Sequence, residues 1–184
     1  MTPPHLAVVF VDLVRFTSLT VAHGDLAGAD AAAALEAVAR TALTERGRVV
    51  KTLGDGVLFA ADDPAAALEC SAAIVEGLHE LDSGLDARCG GAFGAVVERD
   101  GDIYGSIVNL ASRIAALAEP ASMVVTRGIA LQGSAAGFVV SPLGSRSIRG
   151  FPEEFELFEV DLCGHDGQFA FDPVCGMRLD VAQA

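Results

Sequence analysis

The stretch VVKTLGDGVLFA, residues 49–60, decides the fold. Val49 and Val50 are β-branched and begin a strand. Gly54-Asp55-Gly56 supplies a tight turn, and Val57-Leu58-Phe59-Ala60 returns as an apolar hairpin partner. Upstream, residues 25–46 are Ala-rich with apolar positions at helical spacing, and Gly47 is read as their stop. Downstream, Asp62-Asp63-Pro64 opens a second helix, with Pro64 in its first turn, running to about Leu81. The hairpin therefore sits between two helices.

Working outward, residues 6–12 (LAVVFVD) read as a buried strand ending in a carboxylate. Residues 87–98 read as a long strand, in which Gly90, Gly91 and Gly94 imply bulging or close approach of another backbone. Asp100-Gly101 turns the chain, and residues 106–118 form a helix ended by Pro120. Met123-Val124-Val125 is a short strand, and Phe155–Val160 closes the domain. The expected fold is an α/β (α+β) sandwich with a ferredoxin-like βαββαβ core and additional strands. The pattern dissolves after Asp161, so residues 1–160 are read as one domain and 161–184 as a tail.

Composition narrows the function. Of 184 residues, 52% are hydrophobic and 20% charged, which excludes a disordered chain. The formal charge is -13, so nucleic acid and anionic membrane surfaces are unfavourable partners. No apolar run reaches bilayer length and the start lacks a signal-peptide pattern, so a cytoplasmic protein is expected. Its four cysteines are expected to be reduced thiols, with Cys70 and Cys89 in the core. Lys51 is the only lysine and Asn109 the only asparagine. In a chain that otherwise uses Arg, a lone Lys marks a place for a compact point donor rather than a planar fork.

Several residues carry chemistry. Asp12 ends one strand and Asp55 sits in the hairpin turn, and this topology can bring both carboxylates to one edge. Two such carboxylates suit Mg²⁺ or Mn²⁺, which also take phosphate oxygens. Taken alone, Asp55 reads better as a turn former and Asp12 as a strand-end cap. Thr17 lies near the start of a short helix whose free N–H groups could hold a triphosphate, or is simply its N-cap. Asn109 and Arg113 share a helix face, and Arg can stabilise charge developing on a phosphoryl group. Arg149 could hold terminal phosphates or be surface charge.

Five segments together resemble the catalytic domain of class III adenylyl/guanylyl cyclases: VDLVRFT (11–17), KTLGDGVLF (51–59), RCGGAFG (88–94), DIYGSIVNLASR (102–113) and IRGF (148–151). They lie in the family's order across roughly residues 5–160. The resemblance implies conversion of ATP to 3′,5′-cyclic AMP and pyrophosphate by two divalent ions at a homodimer interface. It implies that Asp12 and Asp55 bind the metals and that Lys51 and Asp102 read the purine. Asn109 would orient the ribose and Arg113 stabilise the α-phosphate. Arg149, Phe16 and Thr17 would bind substrate. A Lys donor beside an Asp acceptor complements adenine N1 and N6, whereas guanine reverses the pattern, so ATP is favoured.

The family usually has Gly before Phe-Thr in the first motif; here Arg15 stands there and either restricts backbone approach to the phosphates or contacts them. The tail segment FDPVCGM (171–177) resembles the start of a YHS domain, and Cys163, His165, Asp172 and Cys175 are candidate soft-metal ligands. The rival function is a catalytically silent nucleotide-binding dimer that regulates a partner.

Overall fold

The computed structural model describes residues 3–43, 45–81, 83–163, 169–171 and 178–180. Strand β1 (His5–Leu13) is followed by helices α1 (Phe16–His23) and α2 (Asp25–Ala42), then by β2 (Gly47–Thr52) and β3 (Gly56–Ala61). Helix α3 (Pro64–Glu80) leads to β4 (Ala87–Ala95), and β5 (Val97–Arg99) pairs with β6 (Asp102–Tyr104) as a small ribbon. Next come α4 (Ser106–Ala115), β7 (Ser122–Thr126), α5 (Arg127–Ala135), β8 (Val140–Ser147) and β9 (Glu154–Asp161). The main sheet has the order β2-β3-β1-β4-β7-β9-β8, and its first four strands make the expected βαββαβ core. In the tail, β10 (Phe169–Phe171) pairs with β11 (Arg178–Asp180).

Each boundary has a local cause. Asp63 caps α3 by accepting the Ala66 N–H at 3.0 Å, and this bond holds its carboxyl below the usual range. Pro64 then fills the first helical position, where a missing N–H costs nothing. Strand β3 is buried at every position because apolar layers cover both faces of the sheet. On one face Val9, Val11, Phe59 and Met123 meet α2, α3 and α5. On the other, Val8, Leu58, Ala92 and Val124 meet α4 alone.

The expected helix over 25–46 ends earlier, at Ala42, where Leu43 turns extended. Likewise α4 stops at Ala115 and not at 118. The long strand expected over 87–98 is divided, because Val96 leaves the sheet to let β5 pair with β6. The short helix at Thr17 begins at Phe16. Neither α5 nor β8 was expected.

The glycines of β4 act by close approach. A Cβ on Gly90 would fall 2.2 Å from the Ala115 nitrogen and 2.5 Å from its Cα, so α4 lies directly on the strand. On Gly91 it would meet the Met123 Cε at 2.2 Å, the end of a flexible side chain. Gly90→Ala should therefore cost about 3 kcal/mol or more, because backbone must move, and Gly91→Ala distinctly less. Urea unfolding of both variants checks this; equal losses would refute the backbone-contact account.

Candidate active site

Three groups of polar side chains stand on the α4 side of the sheet. The first is at the end of β1. Asp12 lies opposite Gly56 on β3 and Arg88 on β4, and the Leu13 N–H donates to the Asp55 carbonyl at 3.0 Å. Asp12 and Asp55 are thus brought to one sheet edge, both partly exposed. Arg88 donates from Nε at 3.0 Å and from its terminal nitrogen at 2.8 Å, both to Asp12 Oδ2. Sequence reasoning missed Arg88, since an arginine in a strand reads as ordinary surface. Among the described residues no three His, Cys, Asp or Glu side chains gather as a metal cluster. The two carboxylates are nonetheless hard oxygen donors with open positions, which fits a divalent ion also bound by phosphate.

The loop after Asp12 explains the unusual Arg15. It is the N-cap of α1 and adopts φ 56°, ψ 30°, the left-handed region where glycine is favoured. Thr17 is therefore in the first turn of α1, exposed, and is not the cap. The first bond along the helix is from the Leu19 N–H to the Arg15 carbonyl. The Phe16 ring packs on the core side, and a Cβ on Gly28 of α2 would come within 3.3 Å of it.

In the second group, Lys51 Nζ donates to Asp102 Oδ2 at 2.7 Å, with side chains 40% and 27% exposed. A register shift between Val49 and Lys51 aims the lysine at β6. Asp102 Oδ1 accepts its neighbour's Ile103 N–H at 2.8 Å. The Lys51 bond, then the Ile103 N–H, holds the Asp102 carboxyl below the usual range, so it is an acceptor at neutral pH.

The third group lies under α4. Arg113, Arg146 and Arg149 surround a pocket of about 450 Å³ floored by Leu117 and Ile148. Gly150, at φ 90°, lets the chain turn beneath the Arg113 guanidinium. Asn109 is exposed one turn earlier on α4. Arg40, Arg46, Arg48, Arg88, Arg99 and Arg127 all have carboxylate partners. Arg113, Arg146 and Arg149 have none among the described residues. Three guanidinium groups without carboxylate partners thus gather around one pocket in a chain of charge -13. Arg146 was not expected. Among the described residues no hydrogen bond or ion pair joins the three groups. The tail candidates His165, Asp172 and Cys175 lie outside the described residues.

No protein-family model matches the sequence. The chain is 40% identical over 131 residues to an adenylate cyclase of Streptomyces coelicolor, covering 71% of this chain and 34% of that protein. It is 34% identical over 163 residues to a pH-sensitive adenylate cyclase of Mycobacterium tuberculosis, covering 84% of this chain and 40% of that protein. The chain thus spans well under half the length of these relatives. An adenylate cyclase from Trypanosoma brucei superimposes with a TM-score of 0.72 at 20% identity, covering 87% of this chain and 90% of that one. An adenylyl cyclase from P. aeruginosa does so with 0.72 at 21% identity, over 85% and 93%.

The fold is therefore that of class III adenylyl/guanylyl cyclase catalytic domains. Over that domain the chain is a homologue of adenylate cyclases.

Replacing Arg15 by Gly should remove the left-handed strain and raise unfolding free energy by about 1 kcal/mol. Chemical denaturation reads this directly. A loss of stability would mean that the Arg15 side chain outweighs the strain.

Proposed function

We propose that this domain is an adenylate cyclase whose active sites form between two copies of the chain. The carrying observation is the Lys51–Asp102 pair, held at 2.7 Å and still partly open to solvent. The ammonium has protons left for adenine N1, and the carboxylate has lone pairs left for the N6 amino group. Asp12 and Asp55 would hold two divalent ions, Mg²⁺ or Mn²⁺, whose chemistry when bound is to ease loss of the ribose 3′-hydroxyl proton and to neutralise phosphate charge. Arg88 keeps Asp12 in place, and its charge faces the same edge. The first-turn N–H groups of α1, around Thr17, point toward incoming phosphate.

In this reading Asn109 orients the ribose so that O3′ lies in line with the α-phosphorus. The O3′–P bond forms as the bond to the bridging oxygen of pyrophosphate breaks. Arg113 meets the charge that develops on the α-phosphoryl oxygens. Arg149, with Arg146 beside it, meets the departing pyrophosphate.

The placement of the groups supports reading the site as one completed by a second copy. From β1 to β8 the sheet steps across four strand spacings, about 19 Å. Arg146 is on β8 and Arg149 comes three residues later, whereas Asp12 is on β1 and Asp55 immediately precedes β3. In this reading the Arg146 and Arg149 end of the pocket in one copy would serve the carboxylates of the other. An isologous pair would contain two equivalent sites.

The test is cyclic AMP formation from ATP with Mn²⁺. Asp55→Ala and Arg113→Ala should each lose about a hundredfold or more in kcat. Mixed under conditions of verified subunit exchange, they should recover to about a quarter of wild-type activity, because half the pairs carry one intact site. No recovery would refute the shared site, and a fully active Asp55→Ala protein would refute the metal role.

Base choice is checked separately. Lys51→Glu with Asp102→Cys should lower ATP use and admit GTP, each mispaired group costing about 1–3 kcal/mol. An unchanged ATP-to-GTP ratio of kcat/KM would refute the base-reading assignment.

A further inference from the structure

On the far side of the sheet from these groups, three residues distant in sequence meet where β9 runs out. Cys163 Sγ lies 3.9 Å from His79 Nδ1, and His79 Nε2 lies 3.2 Å from Asp86 Oδ1. The His79 and Asp86 side chains are only 8% and 1% exposed, while Cys163 is half-buried and reachable. Asp86 is fixed twice: its Oδ1 accepts the Ala87 N–H at 2.7 Å and its carbonyl accepts the Val14 N–H at 2.9 Å. Among the described residues neither its buried Oδ2 nor the buried His79 Nε2 makes an aligned hydrogen bond, so imidazole and carboxylate meet as an ion-pair contact. The cyclase chemistry uses none of these residues. A buried carboxylate against a nearly buried imidazole is costly unless the pair acts together, because an ionised group out of water needs compensation.

The arrangement has a direction. The negative charge 3.2 Å from Nε2 favours a proton there by proximity alone, without an aligned hydrogen bond, and Nδ1 is the ring nitrogen nearer sulfur. His79 is in the last turn of α3, where the helix dipole favours a developing positive charge. Carboxylate, imidazole and thiol stand in the order of a relay that activates a sulfur nucleophile, with the carboxylate acting through its charge. Cys89, fully buried nearby, provides the contrast: burial pushes its thiol up and no solvent reaches it.

We propose that Cys163 is a thiol-modification site, activated by His79 and Asp86, that takes low-molecular-weight disulfides. In the reaction Cys163 Sγ attacks one sulfur of R–S–S–R. The Cys163–S bond forms as the original S–S bond breaks, the thiol proton passes to His79 Nδ1, and the departing RS⁻ takes it up. Atoms and electrons balance with the disulfide as the sole co-reactant. The residue stands where the catalytic fold gives way to the tail, so a bound thiol group would mark that junction.

The experiment treats the full chain with a limiting amount of an aromatic disulfide and maps modified cysteines by mass spectrometry over time. Cys175, in the same chain, is the internal reference. Cys163 should react about tenfold or more faster than Cys175. His79→Gln should bring that ratio to about one while leaving the Cys175 rate unchanged. Unfolding would reveal itself as labelling of Cys70 and Cys89; in that event Asp86→Asn, read by the same ratio, replaces His79→Gln. A wild-type ratio of one or below overturns the proposal, and so does a ratio that survives loss of the relay in a folded variant.

Discussion

The pairing of β1 between β3 and β4 is the constraint on which the rest depends. Its register sets Asp12 opposite Gly56 on one side and Arg88 on the other. Strand alternation then sends Ala7, Val9, Val11 and Leu13 into one core and Val8 into the other, with Asp12 at the end of that second series. A slip of one residue would reverse every assignment. It would drive a carboxylate into the layer beneath α2 and α3, with no partner for its charge. The apolar pattern that stabilises the sheet is thus also what delivers Asp12 to the edge.

Charge is arranged on the same principle. Twenty-five acidic residues face twelve basic ones, so an average surface of this chain repels polyanions. Six arginines are neutralised locally by carboxylates. The three arginines under α4 have no carboxylate partner among the described residues, and they line one pocket whose described lining holds no acidic side chain. This placement follows from pairing, since net charge alone argues against any phosphate ligand.

Much of this was legible in the sequence, and the exceptions have physical reasons. The hairpin around Asp55, strand β1 and helix α3 were readable because turn chemistry, apolar runs and a Pro at the first helical position each act locally. The close approach at Gly90 was readable because glycine in a strand has few other uses. Strand β8 was not, since VSPLGSRS carries Pro142, Gly144 and three serines and reads as a loop. It pairs only with β9 at the sheet edge, where a missing N–H is tolerated. Helix α5, with two glycines in nine residues, falls below any propensity signal. Arg88, Arg146 and the His79–Cys163 contact depend on pairings across many residues, which no local pattern encodes.

Lys51 shows how composition and geometry meet. Asp102 already spends Oδ1 on the Ile103 N–H and Oδ2 on Lys51. Each oxygen keeps one lone pair, so the carboxylate can still accept from a ligand amino group. An arginine in place of Lys51 would set its planar fork against the carboxylate and occupy both oxygens at once. Its remaining N–H donors would be fixed in the plane of the fork and could not turn independently toward a second acceptor. An ammonium instead turns freely about its stem and uses one proton on Asp102 while keeping two. On the proposed reading, a chain that meets nearly every other need for positive charge with arginine keeps its single lysine where one donor must serve Asp102 and still turn toward a second acceptor.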